Sequence, residues 1–278
     1  MTVGDPPKGD IDEDRLAEAY NRALKLEKSG DFDAAADAYR EVLALDPVDR
    51  GGAAVRLASM GRGAVPERAP EAYVETLFDQ HAEVFDNVLV EQLGYAVPVQ
   101  LRHQLADLGL GPFGRVLDLG CGTGLTGGEL RPRAEFLVGV DVSERMVELA
   151  DEREVYDELY VDEALRFLHA GEEGERWDLI VATDVMPYLG DLEPLIAAMA
   201  ARLDAGGLIG FSTETLEEEV FAGRDFTVGR FQRFAHREAY LLRRLSGAGL
   251  ETVLMEPITV RHEQGLPIAG HLVIARKG

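Results

Sequence analysis

The chain has 278 residues, with 51 acidic residues against 28 Lys and Arg and a formal net charge of −23. A surface this acidic repels phosphate backbones, and no Lys/Arg cluster interrupts it, so nucleic acid is excluded as an expected partner. No apolar run approaches the roughly 20 residues of a membrane span, the polar first residues do not read as a secretory leader, and the single cysteine, Cys121, excludes an internal disulfide.

Residues 1–13 hold Gly4, Pro6, Pro7, Gly9 and several acids without apolar periodicity, and read as a disordered tail. Residues 14–60 turn helical. Leu16, Ala19, Tyr20 and Ala23 fall on one helix face, Ser29-Gly30-Asp31 breaks the helix, and Ala35, Tyr39 and Val42 mark a second one closed by Pro47. Residues 51–60 suit one further helix. Counted from Leu16, the positions Ala23, Ala35, Tyr39 and Pro47 resemble one tetratricopeptide (TPR) repeat of about 34 residues. A single repeat cannot bury its own apolar face. It is therefore expected to dock on the rest of the chain as a helical hairpin, the alternative being a module that binds a protein partner.

Residues 61–70 have the composition of a linker, and residues 71–278 are expected to form one catalytic domain. Helices are predicted from Glu71 to about Asp86 and over Val97–Leu108. After Gly111 strands and helices alternate. Arg115–Leu119, Phe136–Val140, Glu158–Val161, Asp178–Ala182 and Gly207–Thr213 read as strands, with Ser143–Asp151 and Leu192–Leu203 among the helices between them. That alternation indicates a parallel sheet covered on both faces. Past a helix at Tyr240–Gly249, the strands Glu251–Val260 and His271–Arg276 are joined too closely for a crossover helix. They should pair antiparallel.

Val116-Leu117-Asp118-Leu119-Gly120-Cys121-Gly122-Thr123-Gly124 takes a buried strand into a glycine-rich turn and then a helix. Such a turn lets backbone approach a ligand and offers it free N–H groups. The next strand ends at Asp141, where a carboxylate can grip both hydroxyls of a ribose. Gly122, Gly124 and Gly127 also satisfy the dinucleotide pattern G-x-G-x-x-G by letter. Spacing alone leaves a nicotinamide site and an adenosylmethionine site both open.

Taken in order, the motifs resemble class I S-adenosylmethionine-dependent methyltransferases. Asp118 before Gly-Cys-Gly-Thr-Gly is similar to their first motif, Asp141-Val-Ser-Glu-Arg-Met146 to the second and Val161-Asp162-Glu163-Ala164 to the third. Asp178 to Asp184 is similar to the fourth strand, and Leu203-Asp-Ala-Gly-Gly207 to the turn before the fifth. More narrowly, the chain resembles methyltransferases preceded by tetratricopeptide repeats. The resemblance runs from about Tyr73 to Lys277. It implies a doubly wound α/β domain, Rossmann-like, with a mostly parallel seven-stranded sheet whose last strand is antiparallel, behind an N-terminal helical hairpin. The implied cofactor is S-adenosylmethionine, with S-adenosylhomocysteine as product.

The resemblance also implies residue roles. Asp118 and the backbone of Gly120, Cys121, Gly122 and Gly124 would hold the methionine portion, and Asp141 the ribose. Val142 and Met146 would flank the adenine, Asp162 with Glu163 would meet its amino group, and Thr183 would line the methionine side. Tyr73, Phe78 and Tyr95 would form a lid. Cys121 otherwise reads as a small packing residue, and Met146 as helix core. His236 is the candidate general base by residue type, with Tyr188 beside it as a second catalytic candidate; the alternative for His236 is a surface residue opening a helix. The remaining histidines show no metal-ligand spacing, so no metal is expected. Four phenylalanines, Phe221, Phe226, Phe231 and Phe234, would line an acceptor pocket or pack on one another. The expected acceptor is a small molecule, in the cytoplasm. The rivals are a protein methyltransferase that recruits its target through the helical unit, a non-enzymatic cofactor-binding interaction protein, and, least favoured, a nicotinamide oxidoreductase.

Overall fold

The computed structural model describes residues 12–171 and 175–278. Most of the expected N-terminal tail lies outside them. Asp12 already caps the first helix, accepting the Arg15 N–H at 3.1 Å.

Three helices open the chain. α1 (Glu13–Ser29) ends at Gly30 in the left-handed region, and Asp31 caps α2 (Phe32–Leu45). Small residues let the two approach closely. Ala19 and Ala23 meet Ala35, Ala36 and Tyr39, and α3 (Ala53–Ser59) adds Ala53 and Leu57 to the same cluster. The far side of α3 is spoken for as well: Val55 and Ala58 pack against Tyr188, Val228 and Phe234 of the following domain. The helical unit is thus docked on the residues that follow it.

The residues from 61 to 70 lead into α4 (Glu71–His81), a 3₁₀ turn (Ala82–Val84), a π-helical turn (Asn87–Gln92) and α5 (Val97–Asp107). The sheet follows: β1 (Phe113–Leu119), α6 (Leu125–Leu130), β2 (Ala134–Asp141), α7 (Glu144–Asp151), β3 (Glu158–Val161), α8 (Ala164–Ala170), β4 (Trp177–Ala182), α9 (Glu193–Arg202) and β5 (Leu203–Glu214). Then come α10 (Glu218–Phe221), β6 (Phe226–Val228), β7 (Phe234–His236), α11 (Glu238–Gly247), β8 (Leu250–Glu263) and β9 (Leu266–Lys277).

β1 to β5 are parallel in the order β3-β2-β1-β4-β5, and β9 joins β5 antiparallel, with β8 antiparallel outside it. That is the expected seven-stranded sheet. Two further strands were not foreseen. β6 and β7 form a short hairpin hung on the end of β5 through Glu214 and Ala235. Alternate residues serve opposite faces. Leu117, Val138, Ile180, Ile209 and Val273 pack under α8, α9 and α11, whereas Val116, Leu137, Leu179, Leu208 and Leu272 pack under α5 and α6. Two apolar layers on one sheet fix the register, because a one-residue slip would swap every side chain to the wrong layer.

Candidate functional site

The carboxyl ends of β1, β2 and β4 open into one cavity of about 1040 Å³, its open mouth included. This is where an open parallel sheet leaves a crevice for a ligand. Gly120, Gly122 and Gly124 all hold positive φ at the rim. At Gly120 a Cβ would lie 2.4 Å from Val185 Cγ2, so only glycine fits. Asp141 ties the two loops together. Its carboxylate accepts the Gly122 N–H at 2.8 Å and the Ser143 N–H at 2.9 Å. Burial nonetheless raises the pKa of Asp141 above the ordinary carboxylate range.

Asp118 lies behind the glycine turn. It is fully buried, accepts the Tyr156 hydroxyl at 2.7 Å through Oδ2, and keeps Oδ1 without a partner. Burial pushes its pKa up to about 7. Asp118 is not among the cavity-lining residues and stands behind the turn.

Eleven of the sixteen expected site residues lie on the cavity wall: Gly120, Cys121, Gly122, Asp141, Val142, Asp162, Glu163, Thr183, Phe78, Tyr95 and Tyr188. Thr183 shares a 2.6 Å hydrogen bond with Thr126. Glu163 caps α8 by accepting the Arg166 N–H at 2.9 Å. Phe78, Phe85 and Leu89 complete a roof over the glycine turn. Phe78 meets Phe85 and Tyr188 edge-on, with ring centroids 5.8 and 5.3 Å apart.

The other expected residues lie elsewhere. Gly124 opens α6 beside the wall, and Met146 is fully buried within α7 beneath it. Tyr73 packs on Gly52 and in the apolar cluster between α3 and the hairpin, not over the cavity. His236 corrects the expectation most sharply. It is neither on the cavity wall nor on the surface: it is 0% exposed in β7, with Nε2 bonded to the Leu189 carbonyl at 2.8 Å and its ring stacked on Tyr240. Burial lowers its pKa to about 4, so the imidazole is neutral. The hairpin that buries it had no signal in the local pattern. Likewise Phe226 and Phe234 pack with the core and with each other, and Phe221 is buried.

Several functional-edge residues escaped the sequence reading. Arg261 reaches in from β8, almost fully buried, and meets Glu214 at 2.7 Å, Glu263 at 3.1 Å and Asp184 at 3.5 Å. A bulge between Thr259 and Arg261 puts the neighbours Val260 and Arg261 both inside, against strand alternation. Asp184, which the sequence already put on the expected active-site edge after the fourth strand, lines the cavity in the left-handed region, φ 58°, and burial raises its pKa. Tyr156 and Thr126 were also unforeseen. Among the described residues no group of three His, Cys, Asp or Glu side chains is placed to hold a metal, and no helix is long and apolar enough to cross a membrane.

Residues 117–209 match the family model of a methyltransferase domain. The solved structure of the N-methyltransferase NodS from Bradyrhizobium japonicum, in complex with S-adenosyl-L-homocysteine, has the same fold. It superposes with a TM-score of 0.56 at 19% identity over 73% of this chain and 98% of that one. Over residues 117–209 the chain is thus similar to methyltransferase domains, and its fold is the one this solved structure has. An S-adenosylmethionine-dependent methyltransferase from Clostridium acetobutylicum superposes on it with a TM-score of 0.53 at 16% identity, over 73% of this chain and 99% of that one. In sequence, the ubiquinone biosynthesis O-methyltransferase of Bartonella quintana is 30% identical over 100 residues, 36% of this chain and 40% of that protein. The enzyme of the same name from Chelativorans sp. is 27% identical over 180 residues, 59% of this chain and 71% of that protein. The chain thus matches about two fifths of the length of the first relative.

Two observations of this site suit an adenosyl cofactor. The turn's backbone is bare at Gly120, where positive φ and the Val185 side chain exclude a Cβ and leave the main chain open at the cavity wall. Among the described residues, the buried Asp118 Oδ1 behind that turn makes no hydrogen bond of ordinary geometry.

Proposed function

We propose that the chain transfers a methyl group from S-adenosylmethionine to a small-molecule acceptor by direct displacement, in a cytoplasmic setting. The observation that carries this reading is the single cavity running from the Asp141-held loops to the polar edge beyond β4. When bound, the cofactor supplies an activated methyl group on a sulfonium. The protein's part is then to orient two reactants and exclude water, which in well-oriented systems lowers a barrier by about 7–11 kcal/mol.

In this reading the backbone of Gly120, Cys121 and Gly122 holds the methionine portion, with Asp118 and Gly124 fixing the turn from behind. Asp141 takes the ribose hydroxyls, Val142 flanks the adenine with Met146 supporting from beneath, and Asp162 with Glu163 meets the adenine amino group. Thr183 and Tyr95 border the methyl end. Tyr73 braces the lid helix without being part of its inner face. The two relatives are by name O-methyltransferases, and an oxygen acceptor is the corresponding proposal here. An oxygen acceptor sheds a proton. His236 is out of reach, and the Tyr188 phenol, its pKa pushed up by burial, stays protonated and can only position. Asp184 is the carboxylate on the acceptor side of the wall and takes the proton. The TPR-like unit, residues 14–60, braces the acceptor side through α3 instead of recruiting a protein.

Calorimetry with S-adenosylmethionine, S-adenosylhomocysteine and NAD tests this, run with wild type and Asp141→Ala. Micromolar binding of both adenosyl compounds, lost in the variant, is expected. Binding of NAD alone, or of nothing, would overturn the reading.

A further inference from the structure

Tyr156 stands behind the glycine turn and reaches both of its ends. The turn itself, Gly120 to Thr123, lines the cavity. β1 runs into it from Asp118 and Leu119, and α6 leaves it at Gly124. On the first side the Tyr156 hydroxyl donates to Asp118 Oδ2 at 2.7 Å. On the other its ring fills space that three glycines leave. A Cβ would come within 3.2 Å of Tyr156 at Gly124, 2.3 Å at Gly127 and 2.9 Å at Gly139 of β2. The ring cannot give way to one of them without meeting another. Gly127 completes the letters G-x-G-x-x-G, yet it is not among the cavity-lining residues. What its missing side chain admits is this tyrosine.

The segment that carries Tyr156 is pinned on either side of it. Arg131 donates to the Val155 carbonyl at 3.2 Å, the Asp157 N–H donates to the Leu137 carbonyl at 2.8 Å, and the Asp157 carboxylate accepts the Leu137 N–H at 2.7 Å. Burial raises the Tyr156 phenol well above its ordinary range, so the hydroxyl remains a donor at neutral pH. A donor at 2.7 Å favours a carboxylate over a neutral carboxyl, and here it acts against the burial that drives Asp118 the other way. The other titratable groups that face Asp118 are Asp141 at the end of β2, Cys121 in the turn and Tyr95 ahead of α5; none of them is a cation. Arg153, beside Gly124, is engaged by Asp86.

We propose, resting on the methyltransferase reading, that Tyr156 is the positioning residue of the cofactor turn: wedged among Gly124, Gly127 and Gly139 and bonded to Asp118, it fixes the Gly120–Thr123 main chain for the methionine portion of S-adenosylmethionine and holds the Asp118 carboxylate behind it. Tyr156 is not on the cavity wall and acts only through the turn and through Asp118. A carboxylate there favours the α-ammonium of the methionine portion, so the ionised form of Asp118 is the one that binds tightly. Loss of the hydroxyl then costs affinity where Asp118 becomes protonated, and costs little where pH alone ionises it.

The test is calorimetric titration of the full-length protein with S-adenosylhomocysteine between about pH 6 and about pH 8.5, on wild type, Tyr156→Phe, Gly127→Ala, Asp118→Asn and the Asp118→Asn/Tyr156→Phe pair, with urea midpoints taken alongside to show each protein folded. Tyr156→Phe keeps the wedge and is expected to bind about 3- to 10-fold more weakly than wild type near pH 6 to 7, the size of one hydrogen bond, with the deficit closing toward pH 8.5. Gly127→Ala drives a Cβ into the ring and should bind more weakly than wild type as well. On the Asp118→Asn background the loss of the hydroxyl should no longer give a deficit that varies with pH. A Tyr156→Phe deficit that is the same at every pH makes the tyrosine a packing residue alone and overturns the proposal. Undiminished binding by Tyr156→Phe or by Gly127→Ala overturns it too, as does a pH-dependent deficit that persists without Asp118. Each of these leaves the methyltransferase reading standing. Failure of the wild type to bind S-adenosylhomocysteine sinks that reading and this proposal together.

Discussion

Asp118 and His236 are both fully buried and titrate in opposite directions. Burial raises the Asp118 pKa in the fold, so the carboxyl's contribution to stability is complete below its unfolded value near 4 and is lost as pH rises through about 7. Asp118→Asn keeps the shape and can still accept from Tyr156 without the buried charge. The variant should be about 2 kcal/mol more stable than wild type at pH 8 without cofactor, and no more stable at pH 5. It should also bind S-adenosylhomocysteine more weakly, as strained ligand sites commonly trade stability for function. Urea midpoints at the two pH values check the first claim, and an apo variant no more stable at pH 8 contradicts it. For His236 the folded pKa is depressed instead. Its stabilising effect is full above the unfolded value near 6.5 and disappears as pH falls toward about 4. His236→Gln should cost about 1–2 kcal/mol at pH 7 and narrow its deficit as the pH is lowered to about 4.5. A constant deficit across that range would mean that the imidazole is not held neutral.

The same two residues mark how far local pattern reaches. Asp118, Gly120, Gly122 and Asp141 were legible because a buried strand, a glycine turn and a strand-ending acid are neighbours in sequence. Arg261 was not. Its inward aim comes from a bulge, and its partner Asp184 lies 77 residues away. His236 looked available because its residue type suits catalysis, while the hairpin that buries it depends on contacts with the carbonyls of Leu189 and Gly190.

At the scale of elements, the segment from α4 through the π-helical turn forms the cavity's roof and is fastened by polar clasps at several points. Ser143 Oγ donates to Asp79 at 2.5 Å, Thr123 and Arg153 both donate to Asp86, Arg145 pairs with Glu83, and Arg166 pairs with Glu71 at 3.2 Å. Most of these side chains are partly exposed, so each ion pair contributes only about 0–1 kcal/mol and is screened by salt. A roof held this way should open locally, without global unfolding. Raising salt from about 0.05 M to about 0.5 M, where screening shortens to a few ångström, should speed amide exchange across residues 71–92 and leave β4 unchanged. Asp86→Ala should release S-adenosylhomocysteine several-fold faster in stopped-flow displacement while shifting the urea midpoint little. Uniformly faster exchange over the whole sheet would show that the roof is not a separate unit. The sequence pattern reached this segment only in part. A helix was legible from Glu71, but the 3₁₀ and π turns that bend it over the cavity follow from the contacts beneath, such as the His262 N–H donated to the Leu93 carbonyl at 2.7 Å.

For the whole molecule, the question is whether the N-terminal helices are an appendage or part of one cooperative structure. The alternating strands and helices made the methyltransferase fold legible, and the small residues of α1 and α2 made the hairpin legible. Neither pattern said which face of α3 would be covered. That face buries Val55 and Ala58 against Tyr188, Val228 and Phe234, so the cavity wall at Tyr188 leans directly on the helical unit. Gln232, next to Arg233, also reaches Ser59. An aspartate at position 55 would place a charge in an apolar contact with no cation beside it, at a cost of about 3 kcal/mol or more. If the unit were an independent recruiting module, Val55→Asp would melt the N-terminal helices alone and leave cofactor binding and the thermal midpoint of the sheet unchanged. Because the contact is shared, Val55→Asp should lower the midpoint of a single transition, measured by calorimetry with and without S-adenosylhomocysteine. It should weaken binding at the acceptor side, near Tyr188, more than binding of the cofactor. The unit is then the outer support of the cavity wall at Tyr188, 130 residues downstream of Ala58.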